Sequence, residues 1–239
     1  MRYFNVLDNH NGLDFFPEWS LPVQKPDGSW KPGKWMPEVT GNLEQTNGYH
    51  VFTEDHLIEW LRNNEGLTEV EPSREMVAFR NEIACRSVRL LKKVDWNERI
   101  ARLFMVDCAR RALPIFEADY PKDYTLRRGI EVARSFAEGK ATDIELIKAW
   151  EKIKHVRDKI VDKTKKNAYA AVWVAIFASV PDSIMDPTMD TIYAVRWAIM
   201  SSEDVEKEKK RQTERMLWYL DDNDRRISKG NAIHSNERT

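Results

Sequence analysis

A mainly α fold, in which a helical bundle follows a small N-terminal α/β module, is predicted by three features of this 239-residue sequence. Turn-forming residues crowd its start: six of nine glycines and six of ten prolines fall in the first 72 residues, a density that suits short strands joined by turns. From Ser73 onward apolar residues recur at steps of three and four, the spacing of one helix face. Asn167 to Val180 is apolar around nearly its whole circumference, as in a helix buried at the centre of a bundle.

Taken in order, Tyr3 to Leu7 and Gly48 to Thr53 read as strands, with Asn11-Gly12 and Asn47-Gly48 supplying turns, and Lys34 to Val39 is a weaker third strand. Thr53 stands where a helix N-cap would, Glu54 and Asp55 suit the positive end of the helix dipole, and Leu57, Trp60 and Leu61 form its apolar side. Leu67 to Glu71 closes the module as a strand. Met76, Ile83, Ala84, Ser87, Leu90 and Leu91 form one helical stripe. Trp96, Ile100, Leu103, Phe104, Cys108, Ala112 and Ile115 form a second. Pro114 lacks an N–H and crowds the preceding turn, so this second helix is expected to kink or end near Ala112, with Tyr120-Pro121 as its stop. An Arg-rich helix then runs to Gly139, completing a hairpin. Thr142 and Glu145 make a capping box for a helix whose stripe is Leu146 or Ile147, Trp150, Ile153, Val156 and Ile160. Helices about 188–200 and 203–221 follow the central one, which Pro181 closes. The predicted divisions are a module at 1–72, a bundle at 73–221 and a loose polar tail at 222–239.

With 42% hydrophobic residues the chain can bury a core without disulfide staples. Lys and Arg number 38 against 39 Asp and Glu, a net charge of -1, which lacks the basic footprint of a general nucleic-acid binder. Cys85 and Cys108 lie in separate helical patterns among apolar neighbours, which suits buried thiols in a reducing compartment. No secretory signal follows Met1, and the longest apolar run, Ala168 to Val180, is short of the about 20 residues a membrane helix needs. The cytoplasm is the expected location.

No phosphate loop, nucleophile elbow, paired-histidine zinc helix or dinucleotide fingerprint is present, so the sequence points to no enzyme, cofactor or metal. His50 and His56 flank Glu54 and Asp55, but at no established ligand spacing. Asp8 to Asp14 places His10 and Gly12 where a calcium loop needs oxygen ligands. The basic run Lys152 to Lys166 is interleaved with Glu151, Asp158 and Asp162, as on a solvated helix face. Glu69 and Glu71 alternate on a strand in the Glu-x-Glu manner of ADP-ribosyltransferases, in a module that lacks an upstream Arg element; a solvated strand face is the simpler reading. Asp107 falls on or beside an apolar helix face, where a carboxylate must be paired, and Arg110, Arg111, Arg127 and Arg128 are its nearby candidates. The group is read either as a structural ion pair locking the hairpin or as a pocket for a ligand or an acidic partner loop. Trp60, Trp96, Trp150, Trp173, Trp197 and Trp218 fit helical cores, whereas Trp19, Trp30 and Trp35 lie in turn-rich sequence where an exposed indole can anchor an interface.

The run Asp107-Cys108-Ala109-Arg110-Arg111-Ala112-Leu113-Pro114-Ile115-Phe116-Glu117, with Tyr120-Pro121, Arg127-Arg128-Gly129-Ile130-Glu131 and Ala133-Arg134, resembles the helical domain of an immunity-protein family. The likeness covers about 96–141 and continues more loosely through Ala168 to Ala178 and Gln212 to Arg215, whereas Val172 to Met200 is richer than the simple Ala/Tyr repeats of similar proteins. Gly33-Lys34-Trp35-Met36-Pro37 and Asn47-Gly48-Tyr49-His50-Val51 resemble a small domain that precedes such helical domains in phage and prophage proteins. What these resemblances imply is a bacterial or phage cytoplasmic protein with no catalytic residues assigned. The expected role is a non-enzymatic anti-defence or immunity-like protein that binds and neutralises a protein partner, either a host defence component or a toxin. The alternative is sequestration of a small anion, such as a nucleotide signal, among Arg110, Arg127 and Arg128, since guanidinium groups suit phosphate.

Overall fold

The computed structural model describes residues 1–6, 19–59, 66–156, 160, 163–177 and 187–234. The chain forms two compact units, Met1–Trp96 with Leu217–Thr239, and Asn97–Met216.

The first unit is built on strands β1 (Tyr3–Val6), β4 (Tyr49–Thr53), β5 (Leu67–Pro72), β6 (Met76–Ala78), β7 (Ile83–Cys85) and β8 (Val88–Lys93), paired in the order β6-β7-β4-β1-β5-β8 with antiparallel neighbours. A separate ribbon joins β2 (Val23–Gln24) to β3 (Trp30–Lys31), and a single-turn helix α1 (Glu54–Leu57) follows β4 directly. Alternation sorts the sheet: Tyr49, Val51, Val70, Cys85, Val88 and Leu90 form one buried cluster, closed by Met36. Phe4 and Phe52 pair directly across β1 and β4, and both are buried.

The helical stripe expected over Met76 to Leu91 is three strands instead. A tight turn, in which the Phe79 amide donates to the Glu82 carbonyl, separates β6 from β7, and the apolar residues beyond it alternate as strand residues do. β7 and β8 are held by β4 and β5, which lie far off in sequence, so their pairing is invisible to a local window. Cys85 is consequently a strand residue and not a helical one. Lys34 to Val39 forms no strand. It runs beside β8 with Gly33, Met36 and Val39 amides donating to the Leu90, Val88 and Arg86 carbonyls, so steps of three residues meet steps of two and no regular ladder can form. A Cβ on Gly33 would lie 1.9 Å from the Ser20 carbonyl oxygen, and the Lys34 amide donates to Ser20 Oγ at 2.9 Å. Gly33→Ala therefore forces two backbone segments apart, and urea unfolding is expected to show a loss of about 2 kcal/mol.

The second unit contains α2 (Glu98–Glu117), α3 (Thr125–Ala137), α4 (Asp143–Lys154), α5 (Lys163–Phe177), α6 (Pro187–Ser201) and the start of α7 (Val205–His234). Helix α2 is capped by Asn97, whose side chain accepts from the Ile100 amide. Contrary to the expected break, α2 passes through Pro114. The amide that proline lacks would have bonded the carbonyl of Arg110, an exposed residue, and the Ala118 amide still donates to Pro114 O at 3.0 Å. The hairpin turn follows at 118–124, and α3 ends at Gly139 with φ 72°. The capping box of Thr142 and Glu145 is formed in full. Ile147 is on the exposed side of α4, so Leu146 carries the core stripe. Helix α5 is the central helix, with Val172, Ala175 and Ile176 fully buried. Gly129 allows α3 to approach closely, since a Cβ there would sit 2.6 Å from Ile176 Cδ1. Helix α7 continues to His234, so the stretch expected to be loose from 222 is helical that far. Trp218, expected in a core, is 44% exposed, while Trp150, Trp173 and Trp197 pack against the core cluster. Trp60, Leu61, Asp8 to Asp14 and Pro181 lie outside the described residues.

Candidate functional site

Asp107 and Arg111, four residues apart on α2, lie on one helix face, and Glu208, Gln212 and Arg215 do the same on α7. The two faces meet with opposite charges aligned. Asp107 Oδ2 accepts from Arg215 Nε at 2.6 Å, and Oδ1 accepts from Arg134 Nη1 of α3 at 2.9 Å. Arg111 holds Glu208 through two parallel bonds of 2.6 Å, and Gln212 Nε2 adds a third donor at 3.1 Å. Glu208 is 5% exposed, so this carboxylate depends on those donors. The network laces α2 to α3 and α7.

The arginines expected around Asp107 are thus dispersed. Arg111 serves Glu208 and not Asp107. Arg127 makes a bidentate pair with Glu117, at 2.8 and 2.5 Å. Arg110 is exposed and makes no ion pair among the described residues. Arg128 lies on the other side of α3 from the network, in the wall of a groove. The true partners of Asp107, Arg134 and Arg215, stand 27 and 108 residues away in the chain. Arg134 sits one helical repeat beyond Arg127, and Arg215 falls in the Gln212 to Arg215 segment, but neither position announces its partner.

The groove, of about 530 Å³, lies between α3 and α4. Arg128, Lys140, Lys148 and Lys152 line it, against Glu131 and Glu145. Glu145 already accepts from the Thr142 amide at 2.8 Å and hydroxyl at 2.9 Å, and these bonds, aided by the charge of Lys148, hold its carboxyl below the ordinary value. Lys140 reaches Glu138 at 2.7 Å. Arg128, Lys148 and Lys152 make no ion pair among the described residues. A shallower basin formed by the Asp119 to Thr125 loop shares Arg128.

In the sheet unit, Trp30 is half-buried on β3, and Trp35 is 44% exposed beneath the Arg89 guanidinium, 5.2 Å from its ring centre. Glu69 bonds Arg2 and Glu71 bonds Arg89, so the alternating glutamates form ion pairs on the strand face. His50 Nδ1 lies 3.2 Å from Glu82, and His56 Nδ1 lies 3.1 Å from the Thr53 hydroxyl, so the two rings do not converge. Among the described residues no group of three or more His, Cys, Asp or Glu is placed to hold a metal ion. No described helix is long and apolar enough to cross a membrane.

Both cysteines are buried and unbridged. Burial pushes the Cys85 thiol up to about 12, and burial with the nearby charges of Asp107 and Glu208 raises Cys108 well above its ordinary value. At about pH 8, Cys85 therefore holds roughly a thousandfold less thiolate than an ordinary thiol. Mass-detected alkylation by iodoacetamide is expected to leave both thiols unmodified in the folded protein and to modify both in denaturant.

Residues 94–218, just over half of the chain, match the family described as "Imm-5 like putative immunity protein". No curated protein and no solved structure matches the chain.

Proposed function

The chain belongs to the Imm-5-like immunity protein family, and from that membership we propose that it acts by stoichiometric binding, neutralising a protein partner that is a toxin or a host defence component. A phage or prophage setting in the bacterial cytoplasm is part of the same reading. Family membership is the observation that carries it, because the match spans the whole helical unit from before α2 into α7. The arrangement of charge is consistent with a binding scaffold. The internal ion pairs among α2, α3 and α7 fix the helices, while the α3–α4 surface keeps cations without carboxylate partners among the described residues. Sequestration of a small anion is the second reading, supported by Arg128 in the groove; Arg111 and Arg127 are engaged by Glu208 and Glu117.

Co-expression with candidate toxins tests the proposal. Relief of one toxin's growth inhibition, in proportion to the amount of this chain, is the expected outcome. Relief by substoichiometric amounts, lost on a single groove substitution that leaves binding intact, would mean turnover and would overturn it.

A further inference from the structure

We propose that the α3–α4 groove seats an acidic, extended segment of the partner protein. The inference rests on the binding reading above and adds the place and the chemistry of recognition.

Charge is the first argument. On this unit Arg102, Arg111, Arg127, Arg134 and Arg215 are each paired with a carboxylate. The groove concentrates four cations, of which Lys140 alone has a carboxylate partner among the described residues, Glu138, against two carboxylates, one of which, Glu145, is held by Thr142. Like charges crowded on adjacent turns repel one another, by amounts comparable to the gain from an i,i+4 ion pair. Lys148 and Lys152 are such neighbours on α4. An incoming row of carboxylates removes that repulsion and replaces it with attraction, which sets both the sign and the register of the partner.

Shape is the second argument. Along α3 the groove wall runs from Thr125 to Ser135, eleven residues of helix whose ends stand about 15 Å apart. Four or five residues of extended chain span that length, whereas a single small anion does not. Val132 and Ala149 give the groove apolar surface between the charged groups. Beside Lys148, the exposed face of α4 carries Ile144 and Ile147, which are 64% and 37% exposed. Apolar residues next to a charged row suit a segment in which acidic and apolar residues are mixed.

The test uses the full chain and a fluorescein-labelled peptide of five glutamates flanked by leucines, with a glutamine version as control, read by anisotropy at low salt. Saturable binding of the glutamate peptide alone, weakened about tenfold or more by Lys148→Glu/Lys152→Glu and unchanged by Lys93→Glu on the exposed end of β8, is the expected result. A milder pair, Lys148→Gln/Lys152→Gln, is expected to weaken binding severalfold and guards against misfolding of the reversed variant. Three results would overturn the inference: no binding of the glutamate peptide at about millimolar concentration, equal binding by the groove variants, or displacement of the peptide by inorganic pyrophosphate at far lower concentration than by unlabelled peptide. The last favours a small-anion site. None of these outcomes depends on the growth assay, so the groove can fail while the binding role stands, and the reverse.

Discussion

Replacing Phe116 with alanine is expected to lower the stability of the helical unit by about 4 kcal/mol, the largest effect of any single substitution considered for this chain. Phe116 is fully buried and stacks on Tyr120, with ring centres 4.7 Å apart and planes 20° from parallel. It belongs to the cluster that includes Leu126 and Ile130 of α3. Its carbonyl also accepts from the Tyr120 amide at 3.2 Å, so the same residue shapes the turn that leads into α3. Truncation leaves a cavity at the base of the hairpin, where the last turn of α2 and the loop after Glu117 cannot easily collapse. The control is Ile144→Ala. Ile144 is 64% exposed, and its truncation is expected to change stability by less than about 0.5 kcal/mol. Denaturant unfolding of both variants gives the comparison, and equal midpoints would contradict the placement of Phe116 in the core.

The second large effect is expected at Arg111. Arg111→Ala removes both bidentate bonds to Glu208 and leaves a carboxylate that is 5% exposed with Gln212 as its one remaining side-chain donor among the described residues. Breaking a buried pair from one side costs about 3–5 kcal/mol. The Arg111 side chain is 39% exposed, so water reaches the site once the guanidinium is gone, and about 2 kcal/mol is the expected loss. Arg111→Lys is expected to recover only part of it, because an ammonium cannot form two parallel bonds. Arg111→Met combined with Glu208→Leu is expected to recover most of it, because no charge is then stranded. Additive losses in the double variant would show that the pair does not act as a unit.

Local signals in the sequence carried much of the helical unit. Thr142 and Glu145 announce the capping box because both partners lie within one turn, and the structure forms both bonds. The apolar girdle after Asn167 identifies the central helix for the same reason: burial on every side is written in consecutive residues. The failures are of another kind. β6 to β8 owe their conformation to β4 and β5, and a window over Met76 to Leu91 contains apolar residues that satisfy the helical period by coincidence. Pro114 breaks a helix only where the lost bond and the ring cannot be accommodated, and an exposed last turn accommodates both.

The site shows the same division. Asp107 could be recognised as a carboxylate in need of a partner, because its position on an apolar stripe is a local fact. Its partners could not be recognised, because Arg134 and Arg215 are brought to it by the packing of α3 and α7. The basic groove was equally hidden. Lys152 reads as part of a mixed, solvated helix face until α3 places Arg128 across a groove from it, beside Lys148. Exposed charge that gains meaning only across two helices has no signature along one.

Native mass spectrometry of the chain co-expressed with a candidate partner toxin tests the binding role most directly. The result predicted is a single species heavier than the 28.1 kDa chain by the mass of one partner, which separates into the two proteins on denaturation. The contradicting result is the chain alone at 28.1 kDa under gentle conditions, together with a partner that remains active in its presence.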